Sequence, residues 1–193
     1  TSSDGSTATE SFTVALTDVD EFDVTTPVDG NGSSNTVAEN AAAGTSVGVT
    51  AHSLDADGTT NTVRYRLVTA DGSEYTAGKF QIDGTTGVVS TGSTVLNYEV
   101  DGASQTVYVK ATSSDGSTAT ESFTVALTDV NESVSYASTP DSNSATNTVA
   151  ENSVQGIVVG VTASAIDPDG SNNTVTYRLV TADGSEYAAG KFQ

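Results

Sequence analysis

The side chains in this sequence that could do chemistry are carboxylates, and where they fall matters more than how many there are. They gather at two places. At the first, Asp18, Asp20 and Glu21 lie together and are followed by Asp55, Asp57 and Asn61; at the second, Glu39, Asn97 with Glu99, and Asp129, Asn131 and Glu132 are followed by Asp167 and Asp169. Two carboxylates about 4 Å apart repel by about 4 kcal/mol at an effective dielectric near 20, so several held together force their segments apart. A hard divalent cation accepts roughly 6 to 8 oxygens, from carboxylates, amides and backbone carbonyls, and converts that repulsion into attraction. Cation capture is the chemistry this pattern can perform.

Other chemistries are poorly supplied. His52 is the sole histidine, and the matching position further along is Ser164, so it reads as a solvated residue at a strand end. Serines are plentiful, but a nucleophilic serine needs a base oriented by a third group. Paired carboxylates could serve a glycosidase, yet here they sit in turns and linkers with few aromatics to line a sugar cleft. No enzyme is expected. Six Lys and Arg against 25 Asp and Glu leave a formal charge of −19, which argues against nucleic acid or an anionic membrane as partner. There is no cysteine, hence neither a disulfide framework nor a thiolate metal site.

The chain is a tandem array. Thr1 to Val19 is the same text as Thr112 to Val130, NTVAEN at Asn35 to Asn40 returns at Asn147 to Asn152, and Asn61 to Gln81 returns at Asn173 to Gln193 with only Arg64/Thr176 and Thr76/Ala188 changed. A period near 110 residues means one domain per repeat. Residues 1–21 read as the last strand and linker of one repeat, 22–132 as a complete repeat, and 133–193 as the opening half of the next. Both carboxylate gatherings fall at the joints. With partners missing at each end, the chain is expected to be partly disordered there or to associate head to tail by strand donation.

The elements that must position those joints are strands. Thr, Ser, Val and Gly dominate, and short apolar runs alternate at period two, most clearly in Phe123, Val125 and Leu127 and in their copies Phe12, Val14 and Leu16. Strands are predicted over Asn35–Ala38, Ser46–Ala51, Thr62–Thr69, Lys79–Ile82, Val88–Ser90, Thr94–Asn97, Gln105–Ala111 and Ser122–Thr128. Asp-Gly turns separate them, including Asp71-Gly72, Asp101-Gly102 and Asp115-Gly116. Short strands at this spacing give an all-β, Greek-key immunoglobulin-like sandwich. Its predicted core is Val37, Val47, Val49, Val63, Tyr65, Leu67, Phe80, Ile82, Val88, Leu96, Val107, Val109, Phe123, Val125 and Leu127.

The repeat resembles the cadherin repeat family, in the form carried by large bacterial surface adhesins. The matching text is VAEN with AAAGT at Val37 to Thr45, DADG at Asp55 to Gly58, VRYRL at Val63 to Leu67, FQIDGTTGVV at Phe80 to Val89, LNYE at Leu96 to Glu99, VYVKA at Val107 to Ala111 and DVNE at Asp129 to Glu132. The resemblance implies calcium at each joint, held by the base of one domain, the linker and the top of the next. Carried over by position, the second joint would use Glu39, Glu99, Asp129, Asn131, Glu132, Asp167, Asp169 and Asn173, and the first Asp18, Asp20, Glu21, Asp55, Asp57 and Asn61. Three positions depart from the family: Asn97 and Ser113 stand where Asp is usual, Asp115 follows two residues later, and Ser133 replaces an Asn. Fewer ions or lower affinity is expected from these changes.

The implied role is a secreted or surface-attached adhesin whose joints are stiffened by calcium. It would contact neighbouring repeats, itself or other cell-surface molecules. A chain without Trp cannot adhere by exchanging tryptophans. A passive spacer or a carbohydrate-binding repeat without self-recognition is the alternative.

Overall fold

The computed structural model describes residues 1–188 and 190–193. Its strands follow the alternation. In chain order they are β1 (Val28–Asp29), β2 (Thr36–Ala38), β3 (Ser46–His52), β4 (Arg64–Val68), β5 (Phe80–Ile82), β6 (Val88–Thr91), then a helical turn α1 (Tyr98–Asp101), β7 (Ser104–Thr112), β8 (Thr118–Thr128), β9 (Ser135–Asp141) and β10 (Ala163–Ile166). Two four-stranded sheets, β1-β3-β6-β5 and β2-β8-β7-β4, enclose the core of the complete repeat. Within the second, β7 and β8 form a long antiparallel ladder, and β2 joins the far side of β8 in parallel. The second sheet is therefore mixed, with β2 and β8 side by side at its edge.

Each inner face is made by every second side chain. Val47, Val49 and Ala51 on β3 meet Val107, Val109 and Ala111 on β7 and Phe123, Val125 and Leu127 on β8, all buried. Most of the predicted core is there. Val63 and Ile82 are half-buried at its margin, and Val88 is half-buried while Val89 points inward. Two adjacent valines leave the phase of a strand open in sequence. Pairing with β5 and β3 fixes it, Ile82 standing opposite Val89 and Thr50 opposite Val88.

Glycine is required where β3 shifts register against β6. Gly48 has φ +92°, and a Cβ there would lie 2.2 Å from the Ser34 carbonyl oxygen. Asn31 bridges the irregularity, its Nδ2 donating to the Gly48 carbonyl and to Thr50 Oγ1 at 2.7 Å each.

Two expectations fail. Thr94–Asn97 is no strand: Asn97 Oδ1 accepts the Val100 N–H at 2.8 Å, capping α1, and the chain turns into a helix instead of a ladder. The local side-chain bond outcompetes sheet pairing, as Asn does at helix starts. Leu96 still reaches the core. The second failure is the strand expected around Phe12, Val14 and Leu16. These residues are 86, 81 and 93% exposed, whereas their copies Phe123, Val125 and Leu127 are 9, 0 and 4% exposed. Residues 1–21 have no β7 beside them and form no strand.

Candidate metal centre

The sandwich carries one carboxylate group at each end. At its base, Glu39 follows the last residue of β2 and is 2% exposed. Its Oε2 accepts the Tyr98 N–H at 2.7 Å and its Oε1 the Val130 N–H at 2.8 Å, which ties the start of α1 to the chain leaving β8. Glu99 lies in the first turn of α1, and Asp129 and Glu132 follow β8. One oxygen from each of Glu39, Glu99, Asp129 and Glu132 lies within 4.8 Å of the others.

The next repeat closes over this group with three hydrogen bonds. Asp169 Oδ1 accepts the Glu132 N–H, Glu99 Oε1 accepts the Gly170 N–H, and Asp129 Oδ2 accepts the Ser171 hydroxyl, each at 2.7 Å. Asp167 in turn accepts the Asp169 N–H at 3.3 Å. Asn40 Nδ2 donates to Glu132 Oε1 at 2.8 Å. Asp129 Oδ1, Glu132 Oε2 and Asp169 Oδ2 are buried without a hydrogen-bond donor among the described residues. Desolvation raises the Glu132 carboxyl above its ordinary value; the Asn40 bond opposes this, while the charges of Glu39 and Glu99 and the contact with Asp169 add to it. Donation from the Glu132 N–H pulls the Asp169 carboxyl down.

At the top of the repeat, oxygens of Asp20, Asp57 and Asp115 come within 4.8 Å of one another. Asp57, 3% exposed, accepts the Glu21 N–H at 3.1 Å and the Phe22 N–H at 3.3 Å. Asp18 Oδ2 accepts the Thr59 N–H at 2.8 Å and its hydroxyl at 2.6 Å. This is the same stitch as Asp129 to Ser171, and Glu21 to Asp57 is the same as Glu132 to Asp169. The joints are built alike. A hydrogen bond with Asp57 is the main cause that raises the Asp20 carboxyl, followed by desolvation and by the charges of Asp115, Asp57 and Asp55.

Asp115 is the residue that sequence reasoning left out, because Asp-Gly reads as a turn. It is a turn residue, Oδ1 accepting the Ser117 N–H at 2.6 Å, and its Oδ2 is one more buried oxygen without a donor. Its neighbour Ser113 donates to Asp55 and to the Thr60 carbonyl, so Ser113 orients a carboxylate where the family supplies one. The displaced acid two residues on was the available signal. Asn97 is occupied as a helix cap. Asn61 Nδ2 donates to the Asp57 carbonyl and Asn131 Nδ2 to the Glu132 carbonyl, both at 2.7 Å, while Asn173 is exposed. His52 is the exposed last residue of β3.

Both groups offer oxygen ligands only, the donor set of a hard cation. Orphaned carboxylate oxygens packed beside other carboxylates fit a cation and are costly without one.

Fold and seams together define a class: a β-sandwich repeat with acidic joints. The chain belongs to the cadherin family, the Cadherin domain matching residues 33–142. That domain is a non-catalytic adhesion fold. Among solved structures, mouse Cadherin-23 EC22-24 is 26% identical with a TM-score of 0.56, covering 87% of this chain and 51% of its own. The Protocadherin GammaB4 extracellular domain is 23% identical with a TM-score of 0.59, covering 85% of this chain and 24% of its own. Human CDH23 EC21-23 is 20% identical with a TM-score of 0.56, covering 84% of this chain and 52% of its own. The chain thus spans about half or less of these relatives. No curated protein matches it. No helix among the described residues is long and apolar enough to cross a membrane.

Proposed function

We propose that this chain is part of a calcium-stiffened tandem array in an extracellular or cell-surface adhesin, of the large repeat-built kind found on bacteria. The observation that carries this is the set of buried, donorless carboxylate oxygens at the joints. At the second joint Glu39, Glu99, Asp129, Glu132, Asp167 and Asp169 would hold calcium, with Asn131 and Asn173 as neutral ligands. At the first, Asp18, Asp20, Glu21, Asp55, Asp57 and Asn61 would do so, joined by Asp115. Bound calcium supplies positive charge that offsets carboxylate repulsion and fixes one repeat against the next. Affinity belongs to the extracellular regime, with Kd of order 10⁻⁴ to 10⁻³ M.

Stiff joints suit a stalk that holds a binding surface away from a cell, and family membership supports self-recognition as the adhesive act. Calcium titration of the chain, read by melting temperature and small-angle scattering, tests the clamp. The expected result is a higher melting temperature and a longer, narrower particle in millimolar calcium than in chelator. Identical melting and scattering in the two buffers would overturn it. Bead aggregation separates the roles: clumping only in calcium supports self-recognition, and stiffening without clumping supports a spacer.

A further inference from the structure

Cations are scarce here, six against 25 acidic residues, yet three of them share one face. Arg64 and Arg66 project outward from β4, the edge strand of its sheet, and Lys110 stands directly opposite Arg66 on β7. Like charges directly opposite on neighbouring strands destabilise a sheet. Lys79 pairs with Asp101. Arg64 donates to the Thr85 hydroxyl, and its charge adds to the Thr86 and Thr85 N–H bonds that hold the nearby Asp83 carboxyl low, yet Arg64, Arg66 and Lys110 form no ion pair among the described residues. Immediately after β4 the chain turns through Asp71 and closes at Glu74, which bridges back to Val68; both acids are exposed. One short stretch is therefore positive at its start and negative at its end. The pattern returns in the next repeat as Arg178, Asp183 and Glu186, with Thr176 in the place of Arg64.

A strand with this polarity complements itself when reversed, the condition a two-fold interface must meet. We propose that two copies of this chain dock antiparallel along β4, with Arg64 and Arg66 of each facing Asp71 and Glu74 of the other. The contact deepens the self-recognition half of the reading above; no candidate calcium ligand takes part in it, and calcium acts on it only by aligning successive sites along a stiffened array, which is where clumping arises. Lys110 strengthens the positive end. The contact forms between single copies of this chain, and repetition along an array raises the effective concentration of further sites.

Ionic strength gives the contact a signature. At about 0.01 M salt the Debye length is roughly 30 Å and two strongly acidic chains repel as whole bodies. Near 0.15 M, at about 8 Å, that repulsion is largely screened while pairs in contact persist; near 1 M, at about 3 Å, the pairs weaken too. Association should pass through a maximum, whereas association through exposed apolar residues such as Phe12 and Leu16 would not fall at high salt.

The test is sedimentation velocity of the whole chain in chelator at these three salt concentrations, with variants R64E/R66E and D71K/E74K and the milder R66Q. A dimer boundary in the parent near 0.15 M is expected, lost in each reversal variant alone and restored when the two variants are mixed. Circular dichroism melts matching the parent show that the reversals still fold; R66Q, expected to weaken the dimer, carries the test if they do not. A parent monomeric at all three salts, a dimer unaffected by the reversals, or no dimer in the mixture would each overturn the proposal. Such a result leaves the calcium titration untouched, so the two readings fail separately.

Discussion

Replacing Glu39 or Glu99 with glutamine removes one charge from the same group, but Glu39 anchors backbone with both of its oxygens, whereas Glu99 anchors only the Gly170 N–H with one, an acceptor that Gln can keep. Glu39 accepts N–H groups from Tyr98 and Val130 on its two oxygens at 2.7 and 2.8 Å. Gln keeps one acceptor oxygen and turns an amide N–H toward the other donor, so one charge-assisted bond is lost, worth about 1.5 to 3 kcal/mol. In chelator, Glu39→Gln should melt roughly 10 °C below Glu99→Gln, since about 1 kcal/mol moves a domain of this size by roughly 4 to 8 °C. Calcium adds a second comparison. At free calcium about 100 times Kd, a site on the folded state stabilises the parent by about 2.7 kcal/mol, a rise of at least about 10 °C. Both variants should lose much of that rise. Differential scanning calorimetry in chelator and in calcium reads both effects. Equal melting of the two variants in chelator would refute the anchoring role of Glu39, and an undiminished calcium increment in both would refute the clamp.

Three further outcomes are expected. Gly87 has φ +73°, and a Cβ there would lie 2.0 Å from the Ala51 carbonyl, whereas Gly72 at φ +83° has open space. In urea melts Gly87→Ala should cost clearly more than Gly72→Ala, whose strain alone is about 1 to 2 kcal/mol. Asn97→Ala should lower stability by about 1 kcal/mol and leave the calcium increment intact, since Asn97 caps a helix; Asn97→Asp should retain the cap. In calcium-free buffer the raised carboxyls of Glu132 and Asp20 keep their protons in the folded chain after the unfolded chain has lost them. Their stabilisation is present below the ordinary values of 4.5 and 3.8 and is lost as pH rises through the raised ones. Asp83, Asp141 and Asp169 are depressed, so their stabilisation is present above 3.8 and is lost as pH falls through their folded values. Melting temperature without calcium should therefore be higher near pH 4.5 than at pH 7.5, and added calcium should reverse the order.

Much of this was legible in the residues. Alternation gave β3 and β7 within a residue of their ends, because a half-buried strand must present every second side chain to the core. It gave the end of β8 but not its start, which lies four residues earlier than expected. Asp129 and Glu132 stand at a repeat boundary in the sequence, but Glu39 and Glu99 lie well inside the repeat, and only the resemblance to the cadherin repeat tied them to that boundary. The helix at Tyr98–Asp101 was not, since Thr94 to Leu96 carries β propensity and the Asn97 cap overrides it locally. Asp115 was hidden because a turn aspartate and a cluster aspartate look alike until the fold places Asp20 and Asp57 beside it.

The clearest division lies between two identical stretches. Residue for residue, Thr7–Thr17 and Thr118–Thr128 have the same alternation and the same capacity to be a strand. Packing against β7 and β2 makes the second one β8, with Phe123, Val125 and Leu127 in the core, while the first stands in solvent. The physical reason is that a strand's hydrogen bonds and its buried face are both completed by other strands. The joints obey the same rule: the sequence supplies the charges, but their mutual repulsion exists only once β2, α1 and the chain after β8 converge.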